Sequence, residues 1–288
     1  MGTTRAVYDV NHPVDTRYLG AMRSAAFFDL DKTILAKSSS FAFARPFYRN
    51  GLIGRADVLR SAYAQLLFRT SGADHDQMET MRDYMSQLIT GWEVDKVQRI
   101  ITETLDEVVT PMVFQEAIDL FDEHRAAGRD IIIISSSGID MVAPIGDMLG
   151  ADRSIGTEVG VLNGRYTGEI TFYAYGPGKA EAMRNIAAEE GYDLSTSYAY
   201  SDSITDVPML ELVGYPFAVN PDDQLRRIAV ERDWPILDFA RPVALRRAIE
   251  PKRAAVAAGA GVALVSLAVG IAWVIRRRLT RQLSQATH

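Results

Sequence analysis

The chain has 288 residues, 48% of them hydrophobic and 24% charged, with 37 acidic against 31 basic side chains and no cysteine. This composition excludes a disordered or collagen-like chain and allows one large domain or two small ones. Without cysteine there is no disulfide framework, thiolate zinc site or cysteine nucleophile, which suits a reducing compartment.

Residues 1–24 read as a flexible lead-in. Ala25–Leu30 (AAFFDL) reads as a buried strand that ends in carboxylates. Helical patterns follow at Phe41–Asn50, Arg55–Arg69, Asp76–Leu88, Val94–Val109 and Val113–Ala127, and Gly128 stops the last of them. Four isoleucines, Ile131–Ile134, form a second buried strand, with Ser135–Gly138 as a loop before a helix over Asp140–Leu149. Thr157–Thr171 alternates around Leu162-Asn163-Gly164-Arg165, a hairpin signature. The pattern then predicts a helix at Lys179–Gly191, a strand at Ser197–Tyr200, a helix opening at Val207–Val213, and late strands at Tyr215–Val219 and Pro235–Phe239.

Strands alternating with helices imply an α/β fold, a doubly wound, Rossmann-like and mostly parallel sheet. The helical block at 36–112 interrupts that rhythm straight after the first strand and reads as an inserted cap. The core is then 25–35 with 113–240.

Residues 241–288 hold nine Lys+Arg and one acid, Glu250, for a net +8, while the rest of the chain carries −14. An acidic body speaks against a nucleic-acid partner. Within the tail, 254–275 is a 22-residue run without a charged side chain. As a helix it spans ~33 Å, against ~30 Å for a hydrocarbon core. Trp273 near one end suits the interface. A basic juxtamembrane linker (241–253) precedes the run and a basic tail (276–288) follows. The expectation is one C-terminal transmembrane helix, a single-pass anchor, with the catalytic body on the cytoplasmic side because no apolar leader opens the chain.

Ligands of an open parallel sheet bind beyond the carboxyl ends of its strands. Three such ends carry polar groups here: Asp29-Leu30-Asp31-Lys32-Thr33, Ser135-Ser136, and Ser201-Asp202-Ser203-Ile204-Thr205-Asp206, with Lys179 between the last two. Converging carboxylates repel unless a cation sits among them, and an all-oxygen donor set favours Mg²⁺. A lysine and a strand-end hydroxyl beside that cation suit a phosphate group, and a carboxylate there can act as nucleophile. The four histidines, His12, His75, His124 and His288, sit in no ligand spacing.

In this order, the motifs resemble those of the haloacid dehalogenase superfamily, most closely its phosphoserine-phosphatase-like branch (subfamily IB), over about residues 24–240. The resemblance implies a Mg²⁺-dependent phosphomonoesterase with Asp29 as nucleophile and Asp31 as general acid and base. Thr33 would steady the loop at the phosphate site. Ser135, the backbone of Ser136 and Lys179 would bind the phosphoryl group. Asp29, the Asp31 carbonyl and Asp202 would hold Mg²⁺, with Asp206 beside them.

Phosphoserine phosphatases carry a glutamate about nine residues after the nucleophile, where this chain has Ser38, and their cap arginine has only Arg60 and Arg69 as counterparts. Phosphoserine or another small ester therefore stands beside a phospholipid-type phosphate, such as phosphatidylglycerol phosphate or a lysophosphatidic acid, as substrate. A non-catalytic, membrane-tethered binding protein is the rival from another class. Arg45, Arg49, Arg55, Arg60 and Arg69 read as a solvated face of the cap.

Overall fold

The computed structural model describes residues 23–54, 82–83, 86–240 and 242. All but the last two residues of the expected lead-in at 1–24, the helix at Arg55–Arg69, most of Asp76–Leu88 and the membrane span at 254–275 lie outside them. Among the described residues no helix is long and apolar enough to cross a membrane.

Seven strands form one sheet: β1 Ala25–Phe28, β2 Asp130–Gly138, β3 Arg153–Leu162, β4 Arg165–Phe172, β5 Tyr198–Ser201, β6 Tyr215–Val219 and β7 Ile236–Leu237. Their order is β4-β3-β2-β1-β5-β6-β7, with every neighbouring pair parallel except β3 with β4. The chain winds outward from β1 in one direction, then returns to its other side at β5. That reversal opens a crevice at the carboxyl ends of β1, β2 and β5.

Alternation along the strands feeds two cores. Phe28, Ile131, Ile133 and Tyr200 face α4 (Gln115–Ala126) and α5 (Ile139–Leu149), whose Phe121, Val142 and Ile145 cover them. Phe27, Ile132, Ile134 and Ala199 face the other way. They meet Met183 and Ile186 of α6 (Pro177–Glu190), Met209 and Leu210 of α7 (Val207–Leu210), and Leu225 of α8 (Asp223–Glu231). Phe28 stacks on Tyr200, centroids 4.4 Å apart, and Tyr200 on Phe217 at 4.9 Å, so an aromatic row ties the three strands beneath the crevice.

Among the described residues the elements between β1 and β2 are helical: α1 Ser39–Ala42, α2 Ala44–Arg49, a turn at 86–89, α3 Val94–Val109, a 3₁₀ turn at Thr110–Met112, and then α4. Helix α3 has the predicted bounds. The expected helix at Phe41–Asn50 is instead two, joined at Phe43. Pro46 has no N–H to offer the Ala42 carbonyl, so the ladder cannot run through.

Two further expectations need correction. Ser135–Gly138 is strand, not loop: β2 continues through it with a register shift between Ile134 and Gly138. The helix expected over Val207–Val213 ends at Leu210. The hairpin is as expected, its turn made by Asn163 and Gly164 at φ 52 and 73, the paired positive angles of a type I′ turn.

Candidate active site

Asp29 directly follows β1, and its N–H still bonds the Tyr200 carbonyl at 2.9 Å, so the sheet itself aims the carboxyl into the crevice. Its Oδ1 lies 2.5 Å from Lys179 Nζ, and the same ammonium lies 2.7 Å from Asp206 Oδ2. All three groups are buried. Burial pushes the Asp29 carboxyl well above the ordinary range, the Lys179 ammonium opposes that, and Asp206, Asp202 and Asp31 reinforce it. Burial pulls Lys179 down, but Asp206 and Asp29 outweigh it and hold the ammonium above its usual range.

Local structure delivers each partner. Pro177 at the first position of α6 needs no N–H there, and Gly178 lets the chain pass the Tyr173 carbonyl: a Cβ at 178 would sit 2.1 Å from that oxygen. This close turn brings Lys179 under the crevice. Ser201, the last residue of β5, donates to Asp206 Oδ2 at 2.7 Å and accepts from the Ser203 N–H. Asp206 is thereby committed to holding the lysine.

Asp202 follows β5, its carboxyl buried, with Lys32 Nζ 3.5 Å away. Burial raises it to about 6, with Lys32 opposing and Asp206 adding to the rise. Lys32 itself adopts φ 64, a left-handed conformation that a non-glycine residue holds at a cost of about 1 kcal/mol. Ile34 and Leu35 N–H groups both bond the Leu30 carbonyl around it. The turn places Asp31 across from β2.

Asp31 is held by groups that sequence reasoning missed. Its Oδ1 accepts the Ser39 N–H at 2.7 Å, and its Oδ2 accepts the Ser38 and Ser137 hydroxyls at 3.3 and 3.2 Å. Ser39 Oγ and Ser40 Oγ lie 2.8 and 3.2 Å from Ser137 Oγ. The triple serine at 38–40 was the available signal, noted in the sequence only as the place where a glutamate is missing. Ser135 is buried and its hydroxyl accepts the Ser137 N–H at 3.2 Å, while Ser136 is exposed to the crevice. Thr33 is fully buried, and its hydroxyl has no hydrogen-bond partner among the described residues. The structure thus brings Asp29, Lys179 and Asp206 into direct contact, puts Asp202 beside Lys32, and leaves Thr33 below the surface of the site.

Among the described residues no three acidic or imidazole side chains form a group that could hold a metal ion by themselves. Mg²⁺ needs no such cage, since one or two carboxylates plus substrate oxygens suffice. Asp29, Asp202 and the Asp31 carbonyl are a hard, all-oxygen set. Among the described residues the four carboxylates of the crevice face two ammonium groups, Lys32 and Lys179, so the residues present fit a divalent cation.

A cavity of about 420 Å³ opens from Asp31, Ser136 and Ser137 towards the helices that follow β1. Arg45 and Arg49 are exposed and do not line it. Arg55, Arg60 and Arg69 lie outside the described residues.

Residues 26–211 match the family model of haloacid dehalogenase-like hydrolases. The inhibition of morphological differentiation protein of Streptomyces azureus is 55% identical over 261 residues, covering 89% of this chain and 94% of that one. A probable phosphatase of Mycobacterium tuberculosis is 52% identical over 262 residues, covering 90% and 91%. A phosphoserine phosphatase of the same organism is 35% identical over 252 residues, covering 86% and 80%. A solved structure of a Bordetella pertussis protein of unknown function, 30% identical, aligns with a TM-score of 0.67 over 75% of this chain and 99% of the other.

Proposed function

The chain belongs to the haloacid dehalogenase-like hydrolases and is a phosphatase of that family; from that premise we propose that it hydrolyses a phosphate monoester through an aspartyl-phosphate on Asp29. The observation that carries the reading is the buried lysine between Asp29 and Asp206 at the switch point of the sheet. In the first step an Asp29 oxygen bonds to phosphorus as the ester oxygen leaves, and Asp31 gives that oxygen its proton. In the second, Asp31 takes a proton from water, whose oxygen bonds to phosphorus as the Asp29–phosphorus bond breaks and inorganic phosphate departs.

Lys179 opposes the burial that pushes the Asp29 carboxyl up and so favours its attacking, ionised form, and Asp206 with Ser201 fixes the lysine in place. The Ser39 N–H and the Ser38 and Ser137 hydroxyls aim Asp31, so that one carboxyl reaches both the leaving oxygen and water. Ser135 and the Ser136 N–H take phosphoryl oxygens. Thr33 packs beneath the loop that carries both aspartates. Asp29, Asp202 and the Asp31 carbonyl would hold Mg²⁺, which when bound offsets charge on the phosphoryl oxygens.

The same proposal includes a membrane anchor. The charge-free run at 254–275 spans the bilayer between its basic flanks, and the acidic body lies on the cytoplasmic side. Recovery of the full chain in the soluble fraction without detergent would sink that part.

The chemistry is tested with the purified full-length chain, by phosphate release from a panel of esters with Mg²⁺ or with EDTA. Asp31→Asn is expected to accumulate a hydroxylamine-sensitive phosphoenzyme that maps to Asp29. Phosphate release by Asp29→Asn at the parental rate would overturn the reading.

A further inference from the structure

The 420 Å³ cavity next to Asp31 falls within the range of about 300–1,000 Å³ that encloses ligands well above the size of an amino acid. Among the described residues its lining is mostly apolar, with serine and threonine hydroxyls interspersed, and comes from remote stretches of chain that include Phe41, Phe47, Trp92, Ile101, Met141 and Tyr173. Besides Asp31, its charged lining groups among the described residues are Arg82 and Asp140. Asp140 Oδ1 accepts the Gln98 amide at 2.8 Å, and the Arg82 guanidinium sits over the Tyr173 ring at 5.8 Å. Phe41 is 59% exposed and yet lines the cavity. That ring is therefore open on the cavity side to whatever enters it.

An amino-acid phosphate would put an ammonium and a carboxylate against these walls. Ser38 on the same wall is neutral, and its hydroxyl is turned to Asp31 at 3.3 Å. Asp140 is already bonded by Gln98 and Arg82 lies over the Tyr173 ring, so an ammonium and a carboxylate would meet charges engaged elsewhere, whereas burying methylenes on the apolar part of the wall is favourable. A leaving group as small as serine would also strand water on the aromatic surface.

We infer that the leaving alcohol is large and apolar, and that this cavity, not a set of charged contacts, sets the substrate class. The inference rests on the phosphomonoesterase reading above. The shared chemistry is a phosphate monoester of an apolar alcohol, drawn either from a lipid or from a soluble compound.

The test uses the full-length chain in lipid nanodiscs. kcat/KM is measured for ethyl, butyl, hexyl and octyl phosphate and for phosphoserine. The expected result is a rise of roughly threefold to fourfold per methylene, the ratio that burial of one CH₂ corresponds to, until the cavity is filled. Octyl phosphate should exceed phosphoserine at least tenfold, and Phe41→Ser should flatten the chain-length dependence. A long-chain lipid phosphate monoester in vesicles, compared with the soluble alkyl series, separates the two sources.

A second readout needs no turnover. Octylphosphonate, which cannot be hydrolysed, should bind Asp29→Asn saturably and shift the emission of Trp92, and Trp92→Phe should abolish the shift. A flat series, or preference for phosphoserine with no octylphosphonate binding, overturns the inference and leaves the phosphatase chemistry standing. Saturable octylphosphonate binding without hydrolysis of any ester upholds the apolar pocket and removes the phosphomonoesterase reading instead.

Discussion

His124 should make the fold lose stability in mild acid by an amount that the structure fixes. The ring is completely buried on α4, where its Nδ1 accepts from Arg129 Nε at 2.7 Å and its Nε2 lies 2.8 Å from the Tyr200 hydroxyl. Arginine cannot act as acceptor, so Nδ1 is bare and Nε2 carries the hydrogen: the ring is neutral. Burial first, and Arg129 second, lower its pKa from 6.5 to about 3. Between those values the unfolded chain binds a proton that the native chain refuses, so stability falls as pH falls through 6.5 towards 3.

At about 1.4 kcal/mol per unit, the move from pH 7 to pH 5 costs about 2 kcal/mol from this residue alone. Asp202 acts with the opposite sign, because its native value of about 6 lies above its unfolded one and it regains stability on protonation. That contribution is common to wild type and His124→Gln and cancels in their difference. The assay is urea unfolding of the full-length chain at pH 7, 6 and 5, followed by tryptophan fluorescence. His124→Gln starts lower at pH 7, since it disturbs the buried bonds from Arg129 Nε and to the Tyr200 hydroxyl, by about 1–3 kcal/mol. It should then lose about 2 kcal/mol less than wild type on going to pH 5. Equal losses in the two proteins would refute the neutral buried ring.

Other outcomes follow from the site. Asp29→Asn should reduce turnover by a factor on the order of 10⁴ or more, read by phosphate release, with an unchanged unfolding midpoint or a higher one. Asp31→Asn should slow it by about 10²–10⁴, and a parental rate would remove its proton-transfer role. Lys179→Met leaves two buried carboxylates facing each other and should cost about 3–5 kcal/mol in denaturant unfolding, while adding Asp206→Asn should recover part of that loss. If the double variant is no more stable than the single one, the lysine does not balance that pair. EDTA should abolish phosphate release and excess Mg²⁺ should restore it; release that persists after chelation would remove the cation from the scheme.

The buried strands β1 and β2, the strand-end positions of Asp29 and Asp202, and Lys179 between the second and third motifs could be read from sequence because each depends on local pattern and on the rule that parallel strands present their carboxyl ends to one crevice. What could not be read depends on contacts across the chain. Serine competes with the backbone for hydrogen bonds and signals a loop, yet Ser135–Gly138 is strand, held by pairing with β3 and by the Thr157 hydroxyl bonding the Ser136 carbonyl at 2.7 Å. Ser38, Ser39 and Ser137 meet around Asp31 only after β2 has paired with β1. The helix after Asp206 stops early because the chain must turn past the Ser195 carbonyl at Gly214, where a Cβ would sit 1.8 Å from that oxygen. His124 belongs to no ligand spacing because it is a core residue that links α4 to β5.

The apolar cavity follows the same logic. Phe41, Trp92 and Tyr173 are unremarkable core candidates where they stand in sequence, and any one of them inside a helix or strand would be read as packing. That they line one cavity with Asp31 appears only when the sheet brings the segment after β1 against the end of β4. The proposed chemistry rests on short motifs at strand ends, within residues 29–206, while the proposed leaving group rests on the spacing between elements, which only the folded chain shows.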